Sequence, residues 1–527
     1  MFGLEGVGQG CAAIPGFDTV MHRRTWVQQS YVTRSQDIGQ RVAYGAAYQF
    51  LSIGLRTAIT IGSTAILARL LTPADFGYVV MATVVTELAA LLGAFGFTNV
   101  LIQRRSINRL QLDTVFWISL GIGIVVTGVV GLLSFTTGWL FADPKVGELL
   151  RVLSLNFILN SFVAVPWVVL SRLMRFQVDF WIQLVVVVLR TFAAIVFALW
   201  GWGMWSLVMG AVVGAVANAV LSFSVVRYWP RLRFHWPVLM SSWRSSSGYL
   251  GNTLLYYLNS NLDLLLIGRV LGATHLGYYQ NARSLTDEIR GRIAAPIQHI
   301  LFPAFSALQV DHVAFRGLVM RASRLVAAVV VPIGFGVSAN AEYLVRLLYG
   351  AQWLPMVPVM TMFGLSAAMR ASTAIASPLF NANDRVGLGF KYNVIGTIIL
   401  MAAVLVTMPS GIETVAAGVA VASIYPLVSM RAAFALIGLR TVDMMSVLAP
   451  VVAAAALMWL VTWVAPMIAG SLGYRLDGMS TALRLLLQVV LGAVVYICAV
   501  YCLSQPLRND LRAVVQQWLS MRRKLIS

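Results

Sequence analysis

Apolar runs of about 20 residues recur almost from one end of the chain to the other, and a helix of about 20 apolar residues is what crosses a bilayer core of roughly 30 Å. Fourteen spans are read, near 42–66, 79–98, 114–138, 149–171, 181–200, 203–226, 247–268, 284–305, 322–345, 355–380, 389–409, 412–437, 445–469 and 483–503. An even number returns both ends to one side. The connections alternate in charge along the whole chain. Odd-numbered ones carry Asp75, Asp143, Lys145, Glu148, Glu413 and Asp477 among few basic residues. Even-numbered ones carry Arg104 and Arg105, Arg172 with Arg175, Arg227 with Arg231 and Arg233, and Arg385 with Lys391. That bias is the positive-inside rule, and it places both termini in the cytoplasm. The pattern predicts an all-α polytopic membrane protein.

Composition sharpens this. Of 527 residues, 59% are hydrophobic and 11% charged, against about a quarter charged in soluble domains. The solvent is therefore lipid, and no sizeable soluble domain fits between the runs. A net charge of +19 invites a nucleic-acid reading, but its distribution makes it a topology signal. Cys11, Cys498 and Cys502 give neither a disulfide framework nor a four-ligand zinc pattern, so no metal or cofactor is expected. Residues 1–41 lack an apolar core of signal-peptide type, and the basic run after Met21 suggests that translation begins there.

The longest internal polar connection, 227–246, sets Tyr228, Trp229, Phe234, Trp236 and Trp243 beside Arg227, Arg231, Arg233 and Arg244. Aromatic rings next to cations suit the headgroup layer, and the segment divides the chain in two. The halves repeat. The stretch from Arg69 to Tyr78 aligns with that from Arg269 to Tyr278, matching at Arg69/Arg269, Leu71/Leu271, Gly77/Gly277 and Tyr78/Tyr278. The register continues without a gap through Ala82/Ala282, Thr86/Thr286 and Glu87/Asp287. Both copies join the first and second spans of their half, so the duplication is parallel, related by an axis along the membrane normal.

The run from Ile66 to Tyr78, with Leu-Ala-Arg at 67–69 and Pro73, Asp75, Phe76 and Gly77, resembles the signature closing the first helix of Wzx-type polysaccharide transporters. These share a superfamily with multidrug and toxic-compound extrusion transporters and lipid II flippases. The stretches Pro166–Phe176 and Asp263–Tyr279 resemble the same family, and the likeness covers roughly residues 40–440. It implies two pseudo-symmetric six-helix lobes forming a V around a cavity that opens alternately to either face. The expected organisation is a cytoplasmic segment 1–41, a lobe 42–226, an interfacial linker 227–246, a lobe 247–440, an extra helix pair 441–503 and a basic cytoplasmic tail 504–527. The resemblance also implies a polyprenyl-pyrophosphate-linked oligosaccharide as substrate, with membrane lipids, a polysaccharide polymerase and chain-length machinery as partners, and location in the cell inner membrane.

An ionisable residue near the bilayer centre costs about 2.5–3.5 kcal/mol on insertion scales, so those present usually face a bundle interior or an aqueous cavity. A diphosphate head and acidic sugars need cationic partners, and arginine offers a permanent charge in a fork that fits them. Arg56, Arg290, Arg292 and Arg370 are the substrate-binding candidates. Arg56 and Arg370 stand out because each is mid-span with no acidic residue within a turn. Glu87, Asp263 and Asp287 are the ion-coupling candidates, as desolvated carboxylates that can exchange a proton or hold a cation. A structural reading competes: Arg283 with Asp287, and Glu288 with Arg292, have the four-residue spacing of helix-surface ion pairs. Arg190 fits beside a neighbouring carboxylate, and Glu342 fits a span end. Asn252, Asn259 and Asn261 make the seventh span polar, and Tyr256 and Tyr257 offer stacking faces. Pro296, Pro303, Pro332 and Pro378 mark candidate kinks.

Other function classes fit the sequence less well. A membrane-embedded polymerase or ligase needs positioned acids, bases or a metal, but the five histidines are scattered and no Asp-x-Asp lies on a loop. No Walker motif supports ATP-driven transport. Drug efflux by the same architecture favours a cavity dominated by carboxylates, whereas these spans hold at least as many arginines. A structural scaffold leaves the intramembrane charges unexplained.

Overall fold

The computed structural model describes the backbone of residues 35–93, 101, 107–141, 143–173, 175–236, 254, 257–258, 260–307, 311–471, 480–510, 512 and 516. Side chains at 35–50, 92–93, 139–140, 289–304, 306–307, 371 and 469–470 lie outside that description. Met21, Arg104, Arg105, Asn252, Tyr256, Asn259, Asp477, the linker beyond Trp236 and the tail from 517 fall outside the described residues, as do the side chains of Arg290, Arg292, Pro296 and Pro303. Every regular element among the described residues is helical, and eleven of these helices are long and apolar enough to cross a membrane.

The helices are α1 Ser35–Leu70, α2 Pro73–Gly93, α3 Arg109–Leu133, α4 Lys145–Arg172, α5 Phe176–Leu199, α6 Met204–Val226, α7 over 260–270, and α8 Gly272–Ala307. There follow α9 His312–Ala339, α10 Ala341–Leu348, α11 Val357–Ser372, α12 Ala376–Ala382, α13 Val386–Thr407, α14 Ile412–Ala422, α15 Pro426–Leu436, α16 Thr441–Ser471 and α17 Thr481–Leu503. By chain contacts the molecule divides into a first unit of Met1–Ser63, Ala82–Trp139 and Asp143–Leu258, and a second of Thr64–Met81, Leu140–Ala142 and Asn259–Ser527.

In the first unit, α3 packs on α4, α4 on α6 and α5 on α6. Asn108 starts α3 with a capping box: its side chain accepts from the Gln111 N–H at 2.9 Å, and the Gln111 side chain accepts from the Asn108 N–H at 3.1 Å, which satisfies two otherwise orphan donors. Small residues let the helices approach, as expected where lipid removes the hydrophobic drive between helices. A Cβ at Gly123 would meet the Phe157 carbonyl oxygen of α4 at 2.8 Å, and the Ser161 hydroxyl donates back to Ser119 O at 2.8 Å. The core gathers Leu112, Val115, Phe116, Val165, Val169, Ile182 and Val186.

In the second unit, α9 packs on α11 and α16, with α17 against α16. Gly334 of α9 and Gly364 of α11 cross backbone to backbone: a Cβ on either would stand 2.6 or 2.7 Å from the other's carbonyl oxygen. Two predicted spans are redrawn here. The ninth, read as 322–345, is α9 from His312 to Ala339, because Asp311 caps it by accepting from the N–H groups of Val313 and Ala314. Glu342 therefore stands on the exposed face of the short helix α10, paired with Arg346 at 2.8 Å, and not within a span. The tenth, read as 355–380, is two helices broken at 373–375. Pro378 has no N–H for the Ala374 carbonyl and its ring crowds that turn. Likewise α14 and α15 part just before Pro426.

Candidate functional site

The second unit brings charges from three helices together. The α7–α8 hairpin turns at Leu271 and Gly272, where Gly272 adopts φ +83°, the left-handed region that favours glycine. Asp263 lies eight residues before Leu271 and Tyr279 eight after it, so the antiparallel helices set them opposite each other. The buried Asp263 carboxylate accepts from the Tyr279 hydroxyl at 2.7 Å and from its neighbour, the Leu264 N–H, at 3.0 Å. Arg283 donates through Nη1 to both carboxylate oxygens at 3.0 and 2.9 Å, and through Nη2 to Ser260 O. One turn along α8, Asp287 Oδ2 takes Arg283 Nε at 3.4 Å. Asp287 Oδ1 lies 3.6 Å from Arg370 Nη2, reaching across from the last turn of α11. The charges alternate as Asp263, Arg283, Asp287, Arg370, and the set sums to zero.

The links are unequal. Asp263 and Arg283 are held by close, charge-assisted hydrogen bonds at low exposure, 7% and 14% for their side chains, the geometry of a fixed strut. Asp287 and Arg370 are 26% and 28% exposed and 3.6 Å apart, beyond hydrogen-bonding distance. That outer pair is the more exposed and the more widely separated of the two.

Of the seven residues expected to form the site, Asp263, Asp287 and Arg370 meet in this network. The expectation that Arg370 lacks an acidic partner is corrected: the carboxylate comes from another helix, where spacing along α11 does not reach. Asp263 is tied into the strut. Arg290 and Arg292 lie on α8, and their side chains are outside the described residues. The other two belong to the first unit. Arg56 is exposed on α1, with its charge acting on Asp179 of α5. Glu87 is exposed on α2 and accepts from the Tyr257 hydroxyl at 3.3 Å, while that hydroxyl also donates to Val84 O at 2.7 Å. Arg190 of α5 packs against α6, where a Cβ on Gly214 would stand 3.0 Å from its own Cβ.

Arg283 and Tyr279 are the residues that sequence reasoning underrated. Arg283 was recognisable only as a surface partner of Asp287, yet it is the centre of the network. The signal lay in the near-equal distances of Ser260 and Arg283, and of Asp263 and Tyr279, from the hairpin turn.

The repeated motif makes a second feature of the same unit. Gly77 of α2 and Gly277 of α8, equivalent in the two copies, occupy the same crossing. A Cβ at Gly77 would stand 2.5 Å from the carbonyl carbon of Ala273, and one at Gly277 would stand 2.9 Å from that of Pro73. Positions 73 and 273 are themselves equivalent, so the contact is reciprocal. Beside it, Gln352 Nε2 donates to Ala68 O and Leu71 O at 2.6 and 3.1 Å, Trp353 Nε1 donates to Ala68 O at 2.8 Å, and Arg69 Nη2 donates to Leu347 O at 2.7 Å. Trp353 is fully buried, ringed by Phe76, Tyr278 and Tyr349 with centroids 5.3–5.8 Å away. These side chains cap the carbonyls that α1 leaves open at its C-terminus. Among the described residues, no three His, Cys, Asp or Glu side chains gather as a metal site.

Residues 66–358 match the family model described as polysaccharide biosynthesis protein. The chain is 26% identical over 373 residues to the lipopolysaccharide biosynthesis protein WzxC of Escherichia coli (strain K12), covering 70% of this chain and 75% of that protein. It is 28% identical over 303 residues to the succinoglycan biosynthesis transport protein ExoT of Rhizobium meliloti (strain 1021), covering 57% and 61%. Its fold is similar to that of the lipid II flippase MurJ in an inward closed conformation, with a TM-score of 0.66 at 14% identity over 87% of this chain and 98% of that one.

Proposed function

Because the chain belongs to the polysaccharide biosynthesis protein family, we propose that it flips polyprenyl-pyrophosphate-linked oligosaccharide across the cytoplasmic membrane by alternating access, supplying cell-surface polysaccharide assembly. It acts as a transporter, not as an enzyme. Both termini lie in the cytoplasm, and residues 42–226 and 247–440 act as two lobes, with 441–503 as an added helix pair. A polymerase and chain-length machinery take the product.

The observation that carries the mechanism is the outer pair of the charge network. Two opposite charges 3.6 Å apart attract by about 4–5 kcal/mol at an effective dielectric near 20. Desolvation offsets much of that, leaving a small net contribution for a partly exposed pair. A diphosphate head is a stronger partner for Arg370 than a single carboxylate, because it offers more charge and more acceptors to the guanidinium fork. When it takes Arg370, Asp287 loses one of its cationic neighbours while keeping Arg283 at 3.4 Å, and its affinity for a proton or a cation rises. Cargo and coupling ion then load together at adjacent groups, while Asp263 and Arg283 keep the hairpin fixed. Arg290 and Arg292, on the same helix as Asp287, add cationic contacts for the head.

Export of surface polysaccharide in a host lacking its own flippase tests this. Arg370→Gln should abolish export while membrane abundance stays normal, and Arg370→Lys should restore part of it. Restoring charge balance distinguishes the roles. If Arg370 binds cargo, Arg370→Gln with Asp287→Asn stays inactive; if Arg370 only neutralises Asp287, the double variant regains export and the cargo role is refuted.

A further inference from the structure

The ten residues after α6 are not a slack connection. Arg227 ends the helix in the left-handed conformation, φ 49° and ψ 37°, with its N–H on Phe223 O at 2.8 Å, which turns the chain back onto α3. Tyr228 then inserts beside Phe116 and Phe223, and its hydroxyl donates to the buried Asp113 Oδ1 at 2.6 Å. The same oxygen accepts from the Arg231 N–H at 3.3 Å, and Trp117 Nε1 donates to Arg231 O at 2.9 Å. Arg109 Nη2 donates to Trp229 O at 3.2 Å, and the His235 N–H donates to Thr114 Oγ1 at 3.2 Å. Burial first, then Asp113, holds the Tyr228 phenol above its ordinary range, so it remains a donor at any physiological pH. The strap is fastened to the first turns of α3 largely through its own backbone.

Apart from Tyr228, its large side chains point the other way. Leu232 is 88% exposed and Trp229 75%, with Phe234 and Trp236 more than half exposed. Between them stand Arg227, Arg231, Arg233 and His235, also exposed, and residues 227–236 contain no Asp or Glu. The height of the strap follows from α3. The apolar span Arg109–Thr136 has 28 residues, about 42 Å of helix at 1.5 Å per residue. Against a hydrocarbon core of roughly 30 Å, this leaves about four residues at each end in the headgroup layer. The strap is bonded to Arg109, Asp113, Thr114 and Trp117, which places it at the boundary between headgroups and acyl chains. Tryptophan and arginine both favour that depth.

We propose that Arg227–Trp236 is a pre-formed binding surface for anionic phospholipid: Trp229, Leu232, Phe234 and Trp236 seat at the acyl boundary, and Arg231 and Arg233 hold headgroup phosphates. The charge decides the partner, since an uninterrupted basic and aromatic strap complements an anionic leaflet and gains nothing from a zwitterionic one. The proposal is independent of the cargo.

The full-length protein with Cys11, Cys498 and Cys502 changed to Ser, and Leu232→Cys carrying a nitroxide, is placed in nanodiscs of phosphatidylcholine with or without phosphatidylglycerol. Collisional depth measurements should put the label below the phosphate plane, deeper with phosphatidylglycerol. Native mass spectrometry should find phosphatidylglycerol retained in preference to phosphatidylcholine. Arg231→Glu with Arg233→Glu leaves the backbone bonds to α3 intact. It should lower that preference on the order of tenfold and raise the label toward water. A label that stays aqueous whatever the lipid, or a lipid preference unchanged in the double variant, overturns the proposal. A label aqueous in nanodiscs but shielded in native membranes would assign the surface to a protein partner instead.

Discussion

Replacing Gly77 with Ala tests the crossing of the two motif copies. The new Cβ would stand 2.5 Å from the Ala273 carbonyl carbon and still closer to its oxygen, where two carbons want about 3.5–4.0 Å. The obstacle is backbone, so no rotamer change relieves it, and α2 and α8 must separate by about 1 Å. Overpacking of this kind costs roughly 1–3 kcal/mol. The Gln352 and Trp353 bonds to Ala68 and Leu71, now 2.6–3.1 Å, stretch with it, at about 0.5–1.5 kcal/mol each. A loss of roughly 2–4 kcal/mol is expected by SDS titration of the purified protein in mixed micelles. Gly277→Ala should cost a similar amount because it meets Pro73 in the mirrored position. The double variant should cost clearly less than the sum, since a gap opened by one methyl accommodates the other. Gly54→Ala, with nothing within 4 Å of its Cβ, controls for the substitution itself. If Gly77→Ala lies within about 0.5 kcal/mol of wild type, or if the two effects add in full, the reciprocal contact is not as described.

The remaining predictions are shorter. Asn108→Ala removes the capping box at α3 and should cost roughly 0.5–2 kcal/mol in the same titration, while Ser and Asp retain most of the stability. Glu342→Gln should leave export unchanged and stability within about 0.5 kcal/mol of wild type, because its bond to Arg346 is an exposed pair on a surface helix; a large loss of export would add Glu342 to the candidate site. A reporter fused at Trp236 should read as cytoplasmic, following the arginines of that connection, and a reporter reading outside would overturn the fourteen-span topology.

The sequence was most legible where lipid writes the rules. The first six spans, the eleventh and the last two reappear as helices within the expected slippage, because a long apolar run has one stable conformation in a bilayer. It was least legible where a polar residue is satisfied by a remote part of the chain. The start of α9 carries Arg316, Arg321 and Arg324, polar residues that an apolar-run reading sets at or outside the edge of a span. In the fold Arg324 bonds Asp510 at 2.7 Å, Arg321 lies 3.6 Å from the same carboxylate, and Arg316 donates to Ile437 O at 2.5 Å. With those partners the helix runs about three turns further toward its N-terminus. Arg370 failed as an isolated cation for the same reason, since Asp287 lies on another helix. The turn ahead of Pro378, by contrast, needed no partner and was foreseeable from the proline alone.

The crossing at Gly77 and Gly277 has a consequence for the origin of the chain. A surface that meets its own copy reciprocally is what a homodimer of half-length chains would use. In such a dimer one glycine would serve both sides, and any change to it would strike the interface twice. Joined in one polypeptide, the copies can drift apart wherever they do not touch: Asp263, Tyr279 and Arg283 face Ser63, Val79 and Thr83 in the register of the first half. Where they touch, each copy is the other's mould, and neither can gain a side chain unless both make room.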